Sequence, residues 1–238
     1  MRETTVADFG TQRLNMVESQ VRPSDVTDRH LMTVLQTLPR ELFVPEWGRA
    51  VAYGDGDLAV SRAERGSPPR CLLAPRTLAR LIQAAEIASS DRVLDVGCAT
   101  GYSTAVLARL AANVVGLEQD KALAEAASNA LKAVGAANAT IVQNPLADGW
   151  PKDAPYDAIV VNGSVAAVPQ SLLAQLSPAG RLVAIVTGGD QPGGRSRPNG
   201  AGVAQLFTKS ANGIGLRTLF DAGAPELPGF SAQAGFVF

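Results

Sequence analysis

The chain has 238 residues, 46% of them hydrophobic and 18% charged, enough for one large α/β domain with an appendage and an ample core. A net charge of −1 and an isoelectric point near 5.9 argue against a nucleic-acid binder, because phosphate contacts need clustered lysine and arginine. His30 is the sole histidine, and Cys71 and Cys98 lie far apart, so the inventory holds neither a zinc-ligand spacing nor a Ser-His-Asp hydrolase set. The opening MRETTVADFG carries acids and no apolar run, so no secretory signal is expected. The uncharged stretch 158–180 is broken by Asn162, Pro169 and Pro178; no membrane span is expected, and the expected compartment is the cytoplasm.

Residues up to about 60 read as a helical appendage. Thr11 to Val21 suits one helix. Thr27 or Asp28 caps a second, with Leu31, Val34, Leu35 and Leu38 at i, i+3, i+4 and i+7, and Pro39 ends it. Such an appendage serves equally as a packing cap over a sheet edge or as a lid over a ligand. Residues 61–70, SRAERGSPPR, are rich in turn formers and read as a loop. Thr77 to Ala88 is expected to be helical, with Leu78, Leu81, Ile82 and Ala85 on one face. The division drawn is residues 1–76 for the appendage and substrate-side loop, and 77–238 for the main domain.

The organising stretch is RVLDVGCATGY, Arg92 to Tyr102. The short apolar run Val93–Val96 is typical of a strand buried on both faces. The turn Gly97-Cys98-Ala99-Thr100-Gly101 follows, and then a helix from Tyr102 to Ala108. This is the first half of a nucleotide-binding βαβ unit, in which glycines let a ligand approach the backbone. Ala112 to Leu117 is the next strand and ends on Glu118, placed to accept hydrogen bonds from two ribose hydroxyls. The acid-x-G pattern, with Asp95 two residues before Gly97, is closer to class I methyltransferases than to the dinucleotide fingerprint. Asp95 suits the cationic end of S-adenosylmethionine and would repel a pyrophosphate. None of the three tyrosines has a lysine four residues on, as a short-chain dehydrogenase requires.

Asp120 or Lys121 opens a helix carrying Leu123, Ala127, Leu131 and Val134 on one face, and Gly135 closes it. Strands are expected at Ala139–Gln143, Tyr156–Val161 and Gly180–Val186, with a short helix over Ser171–Leu176. Thr187 to Gly202 is dense in glycine and proline and reads as a flexible loop. Val203–Lys209 and Ile214–Phe220 flank the turn Ser210–Gly213 and form an antiparallel hairpin. The expected fold is α/β: a Rossmann-like, doubly wound, mostly parallel seven-stranded sheet with a C-terminal antiparallel hairpin and the N-terminal helical appendage.

Several further pieces carry a closer resemblance: Met16-Val17-x-x-Gln20, Pro39-Arg40-x-x-Phe43-Val44-Pro45, Ala52-Tyr53-x-Asp55, Gly149-Trp150-Pro151, Ala154-Pro155-Tyr156-Asp157, Gln175-Leu176 and Gly180-Arg181-Leu182-Val183. Together with the glycine turn they resemble the protein-L-isoaspartate O-methyltransferase family. The resemblance implies S-adenosylmethionine as cofactor and isoaspartyl carboxylates of damaged proteins or peptides as methyl acceptors. It places Asp95, Gly97, Cys98, Gly101, Tyr102, Glu118, Gln119, Pro145 and Leu146 at the cofactor, and Leu73 and Pro75 on the substrate side. No catalytic residue and no metal is implied. The chain departs from the family at two points: Leu73 stands where the family has a substrate-side serine, and Pro145 where it has an adenine-binding acid. Two alternatives therefore stay open, a methyltransferase with another acceptor and a non-catalytic binding or regulatory protein. An ionised carboxylate acceptor needs no general base, which suits a chain with one histidine.

Overall fold

The computed structural model describes residues 8–63, 68–187 and 201–230. Helix α1, Phe9–Met16, starts where the Asp8 side chain accepts from the Thr11 amide. It runs on through a wider π-turn, Val17–Val21, and a tight turn, Arg22–Ser24, until Asp25 adopts a left-handed backbone at φ 62°. Helix α2, Arg29–Thr37, is capped by Asp28, whose side chain accepts from the Leu31 amide at 3.0 Å. Met16, Val17, Leu31 and Leu35 join the same hydrophobic cluster as Val93 and Val160 of the central sheet. The appendage thus packs as a cap whose core is continuous with one face of the sheet.

A two-stranded ribbon, β1 (Leu58–Ala59) with β2 (Cys71–Leu72), leads into α3, Pro75–Ala84. This helix begins two residues before the expected start because Pro75 is preorganised for the first helical position. It ends four residues early. Arg181 donates to the carbonyls of Ala85 and Glu86, and Glu86 turns to φ 46°, so the last carbonyls are satisfied from a distant strand.

The main sheet comprises β3 (Arg92–Val96), β4 (Asn113–Glu118), β5 (Ala139–Gln143), β6 (Tyr156–Val165), β7 (Leu176–Val186), β8 (Ala201–Ser210) and β9 (Gly213–Gly223). Their spatial order is β5-β4-β3-β6-β7-β8-β9, and β8 alone runs against its neighbours. Helices α4 (Tyr102–Ala108), α5 (Lys121–Ala133) and α6 (Gln170–Ala174) make the connections. Alternation along the strands sorts the core into two layers. Val93, Val160, Val183 and Ile185 face the N-terminal helices, while Leu94, Val96, Ile159, Val161 and Leu182 face α6 and the C-terminal segment.

Strand β6 outruns its expected end at Val161. Beyond a bulge between Val160 and Ser164 it pairs with β7 again, and Ser164 also bridges to Glu226. Strand β7 likewise starts earlier, at Leu176. Ala201 and Gly202, expected in a loop, belong to β8; the rest of that loop, 188–200, lies outside the described residues. At the neck of the 61–70 loop, Val60 donates its amide to the Arg70 carbonyl at 2.8 Å and Ser61 Oγ accepts from the Arg70 amide at 2.9 Å, while 64–67 lie outside the described residues. Among the described residues no helix is long and apolar enough to cross a membrane.

Candidate functional site at the carboxyl ends of the central strands

Strands β3, β4 and β6 end side by side, and each carries a polar residue near its carboxyl end: Asp95, Glu118 and Asn162. All three are buried. Polar groups persist in such a place only when hydrogen-bonded. Asp95 accepts from Ser103 Oγ at 2.7 Å and from Thr104 Oγ1 on α4, and from Asn162 Nδ2. Burial nevertheless pushes its carboxyl up to about 6, against the three donors, and the negative Glu118 adds to the rise.

The turn between β3 and α4 bends through left-handed residues, with φ 73° at Gly97, 51° at Ala99 and 89° at Gly101. A side chain on Gly101 would come within 3.0 Å of Ala127 on α5, so this glycine is required by space as well as by dihedral angle. Thr100 Oγ1 donates to the Phe43 carbonyl, which ties the turn to the appendage. Tyr102 is buried beneath the Arg40 guanidinium, 4.6 Å from its ring centroid, with Phe43 edge-on at 5.5 Å.

Glu118 lies 0% exposed at the end of β4. Its Oε1 accepts from the amides of Gln119 and Asp120, and its Oε2 from the Ala99 amide at 2.9 Å and from Arg70 Nη2 at 2.9 Å. Arg70 Nη2 also donates to the Gly97 carbonyl at 3.0 Å. Gln119 itself is exposed, and its carbonyl accepts from Gln143 Nε2. Pro145 leads into a tight turn, Leu146–Asp148, which buries Leu146. Leu73 is buried, and its carbonyl accepts from Arg40 Nη2 at 2.9 Å. Pro75 is buried in the first turn of α3.

The fold therefore gathers most of the expected residues. Leu73, Gly97, Cys98 and Tyr102 line one small void with Ser103 and Asn162. Cys98 is fully enclosed, and burial holds its thiol well above the ordinary range, so it lines the site without being reactive. Five further residues lie against these: Ser103, Thr104 and Asn162 on Asp95, Arg70 on Glu118, and Leu227 beside Gly97. Asn162 carried a signal, a lone amide closing an apolar strand. Arg70 and Leu227 carried none, since their places depend on contacts 27 or more residues away. His30 is exposed on α2.

One consequence concerns pH. The Asp95 carboxyl sits near 6 in the folded chain and near 3.8 in the ordinary state. Below the lower value both states hold the proton; between the two only the folded state does. Raising the pH through that window therefore removes stability, about 3 kcal/mol for a shift of this size. Urea unfolding of the native chain and Asp95→Asn at pH 4.5 and 7 should show the variant gaining relative stability at the higher pH. A pH-independent difference would rule out a buried, perturbed Asp95.

The profile of the family described as Protein-L-isoaspartate(D-aspartate) O-methyltransferase matches residues 12–207. The chain is 39% identical over 183 residues to Protein-L-isoaspartate O-methyltransferase 1 of Rhodopseudomonas palustris, covering 77% of this chain and 72% of that protein. It is 37% identical over 195 residues to the Protein-L-isoaspartate O-methyltransferase of Methylorubrum extorquens, covering 82% and 81%. In fold, it resembles a solved protein-L-isoaspartate O-methyltransferase with a TM-score of 0.75 at 23% identity, covering 92% of this chain and 65% of that one. A Plasmodium falciparum structure, described as a complex with S-adenosyl-L-homocysteine, gives a TM-score of 0.70 at 20% identity and covers 92% and 97%. A glycine turn between a buried aspartate and a strand-ending glutamate, set in a sheet of this order and matched over most of its length, means that the chain belongs to the protein-L-isoaspartate O-methyltransferase family.

Proposed function

We propose that the chain performs the reaction for which its family is named, transfer of a methyl group from S-adenosylmethionine to the carboxylate of isoaspartyl residues in damaged proteins. The observation that carries this reading is the pairing of Asp95 and Glu118 across the Gly97–Gly101 turn, on adjacent parallel strands. The chemistry the cofactor supplies when bound is an activated methyl group. Glu118 is the acceptor for the ribose hydroxyls, Asp95 the anion facing the cationic methionine end, and Gly97 and Gly101 allow close approach. Cys98, Tyr102, Gln119, Pro145 and Leu146 are assigned to the walls around it, the last two beside adenine.

These residues suit an adenosyl group in kind. Volume is the exception, because Arg70 and Leu227 fill the crevice in the described arrangement. On the substrate side, Leu73 and Pro75 offer an aliphatic surface and no hydroxyl. A carboxylate acceptor is ionised at neutral pH, so the chain need only align it and exclude water. Residues 1–76 supply this side as an appendage to the methyltransferase domain at 77–238.

The test is incubation with cofactor labelled on the methyl group, and with paired peptides that differ only in isoaspartate against aspartate. Base-labile label is expected on the isoaspartyl peptide alone. The filled crevice favours one second reading, a non-catalytic family member that has kept the fold. The absence of both calorimetric binding of S-adenosylhomocysteine at millimolar ligand and methyl transfer to any peptide would select it.

A further inference from the structure

We infer that Arg70 and the C-terminal strap Ala224–Phe230 are a built-in occupant of the cofactor crevice, which an adenosyl ligand must displace in order to bind. This inference rests on the cofactor reading above and adds to it a closed resting state. A strand-end carboxylate grips a ribose by accepting two hydroxyl protons. Glu118 has no acceptor position left for them: the amides of Ala99, Gln119 and Asp120 take three, and Arg70 Nη2 takes the fourth. The backbone donors belong to the turn and to the start of α5, so they stay. Arg70 is the group that can leave.

The strap fills the remaining space. After β9 the chain crosses the end of β6, where Ser164 donates its amide to the Pro225 carbonyl and Leu227 donates its own to the Ser164 carbonyl, both at 2.9 Å. Ser164 Oγ also donates to the Ala224 carbonyl. Leu227 then seats against two glycines. A side chain on Gly97 would meet it at 3.0 Å, and one on Gly163 at 2.6 Å. The backbone approach that Gly97 offers to a ligand is thus taken by a leucine of the same chain. Phe230 anchors the far end in the core layer beneath. Among the described residues, one void beside Arg70 and Leu227 and one beside Gly97 and Tyr102 measure about 10 Å³ each, room for a water.

The closed form also carries a cost that makes it displaceable. Arg70 Nε and Nη1 are buried without a hydrogen-bond partner among the described residues, and buried donors left unpaired weigh against the state that contains them. Apolar burial of Leu227 and Phe230 holds the strap down, while the orphaned guanidinium donors push the other way. A ligand that binds only the open form then shows an affinity reduced by the open fraction.

The full-length chain, Arg70→Ala and Leu227→Ala are to be titrated calorimetrically with S-adenosylhomocysteine, after circular dichroism confirms that each variant is folded. Each substitution should tighten binding about tenfold or more, the gain available when an open state populated below a tenth becomes dominant. In the native chain, hydrogen exchange at the Ser164 and Leu227 amides should speed up on saturation with ligand, the opposite of ordinary protection by a bound molecule. Unchanged or weakened affinity in both variants, or slower exchange at those amides, overturns the occlusion and leaves the cofactor assignment standing. If neither the native chain nor a variant binds at millimolar ligand, the cofactor assignment fails and this inference fails with it.

Discussion

Glu118→Ala is expected to lower folding stability by about 3–5 kcal/mol, the range for breaking a buried ion pair by removing one partner, and to abolish measurable binding of S-adenosylhomocysteine. The stability loss has two sources. Among the described residues Arg70, 11% exposed at its side chain, keeps only the Gly97 carbonyl as partner, and its charge is left uncompensated. At the same time the amides of Ala99, Gln119 and Asp120 lose their side-chain acceptor, so the turn keeps only its backbone bonds from Gly97 and Cys98 to the Leu117 carbonyl of β4. Glu118→Gln keeps one carbonyl oxygen but places an amide group near a cation, and should fall between the two. Urea unfolding gives the first number and calorimetry the second. A loss under about 1 kcal/mol would put the pair in the class of exposed salt bridges and refute its description as buried.

Arg40→Ala should cost about 3 kcal/mol, within the range of large-to-small core substitutions. Arg40 is 0% exposed, donates through Nε to the Ala52 carbonyl and through Nη2 to the Leu73 carbonyl, and lies over the Tyr102 ring. Two effects oppose each other. The buried charge is unfavourable, as the burial-driven fall in its pKa indicates, and no carboxylate pairs with it among the described residues. Against that, alanine leaves a cavity and two carbonyls without donors, and the cavity is the larger loss. Arg40→Met fills most of the space and should cost less than half as much. Because Arg40 holds the backbone of Leu73, the substrate-side role proposed for Leu73 predicts that both variants also weaken capture of an isoaspartyl peptide relative to cofactor. Thermal unfolding and peptide titration separate the two effects; a more stable Arg40→Ala would mean that desolvation of the charge dominates.

Local pattern sufficed wherever an element is stabilised by its own residues or its immediate neighbours. Tyr102–Ala108 and Ala139–Gln143 lie where periodicity and the glycine punctuation place them, and Asp28 and Asp120 cap their helices as their types require. Boundaries moved where a distant residue supplied the hydrogen bonds. Arg181 ended α3 early by taking the carbonyls of Ala85 and Glu86, and the strap at Pro225–Leu227 accompanies the extension of β6 past Val161. The acids at 95 and 118 were legible because a charged residue closing an apolar strand is conspicuous. Asn162, Ser103 and Thr104, which hold Asp95, were less so, since their role depends on three elements meeting.

By itself, then, the order of apolar runs, glycines and acids determined a Rossmann-like sheet and its βαβ centre, by spacing along one chain. The resemblance to the family rested on particular pieces such as Gly149-Trp150-Pro151 and Phe43-Val44-Pro45. Only the tertiary structure decided that the Glu118 carboxylate is held by Arg70 and that Leu227 occupies the space beside Gly97 and Gly163. Those contacts join residues 48 to 130 positions apart and are set by how the layers stack, a quantity that no local pattern encodes.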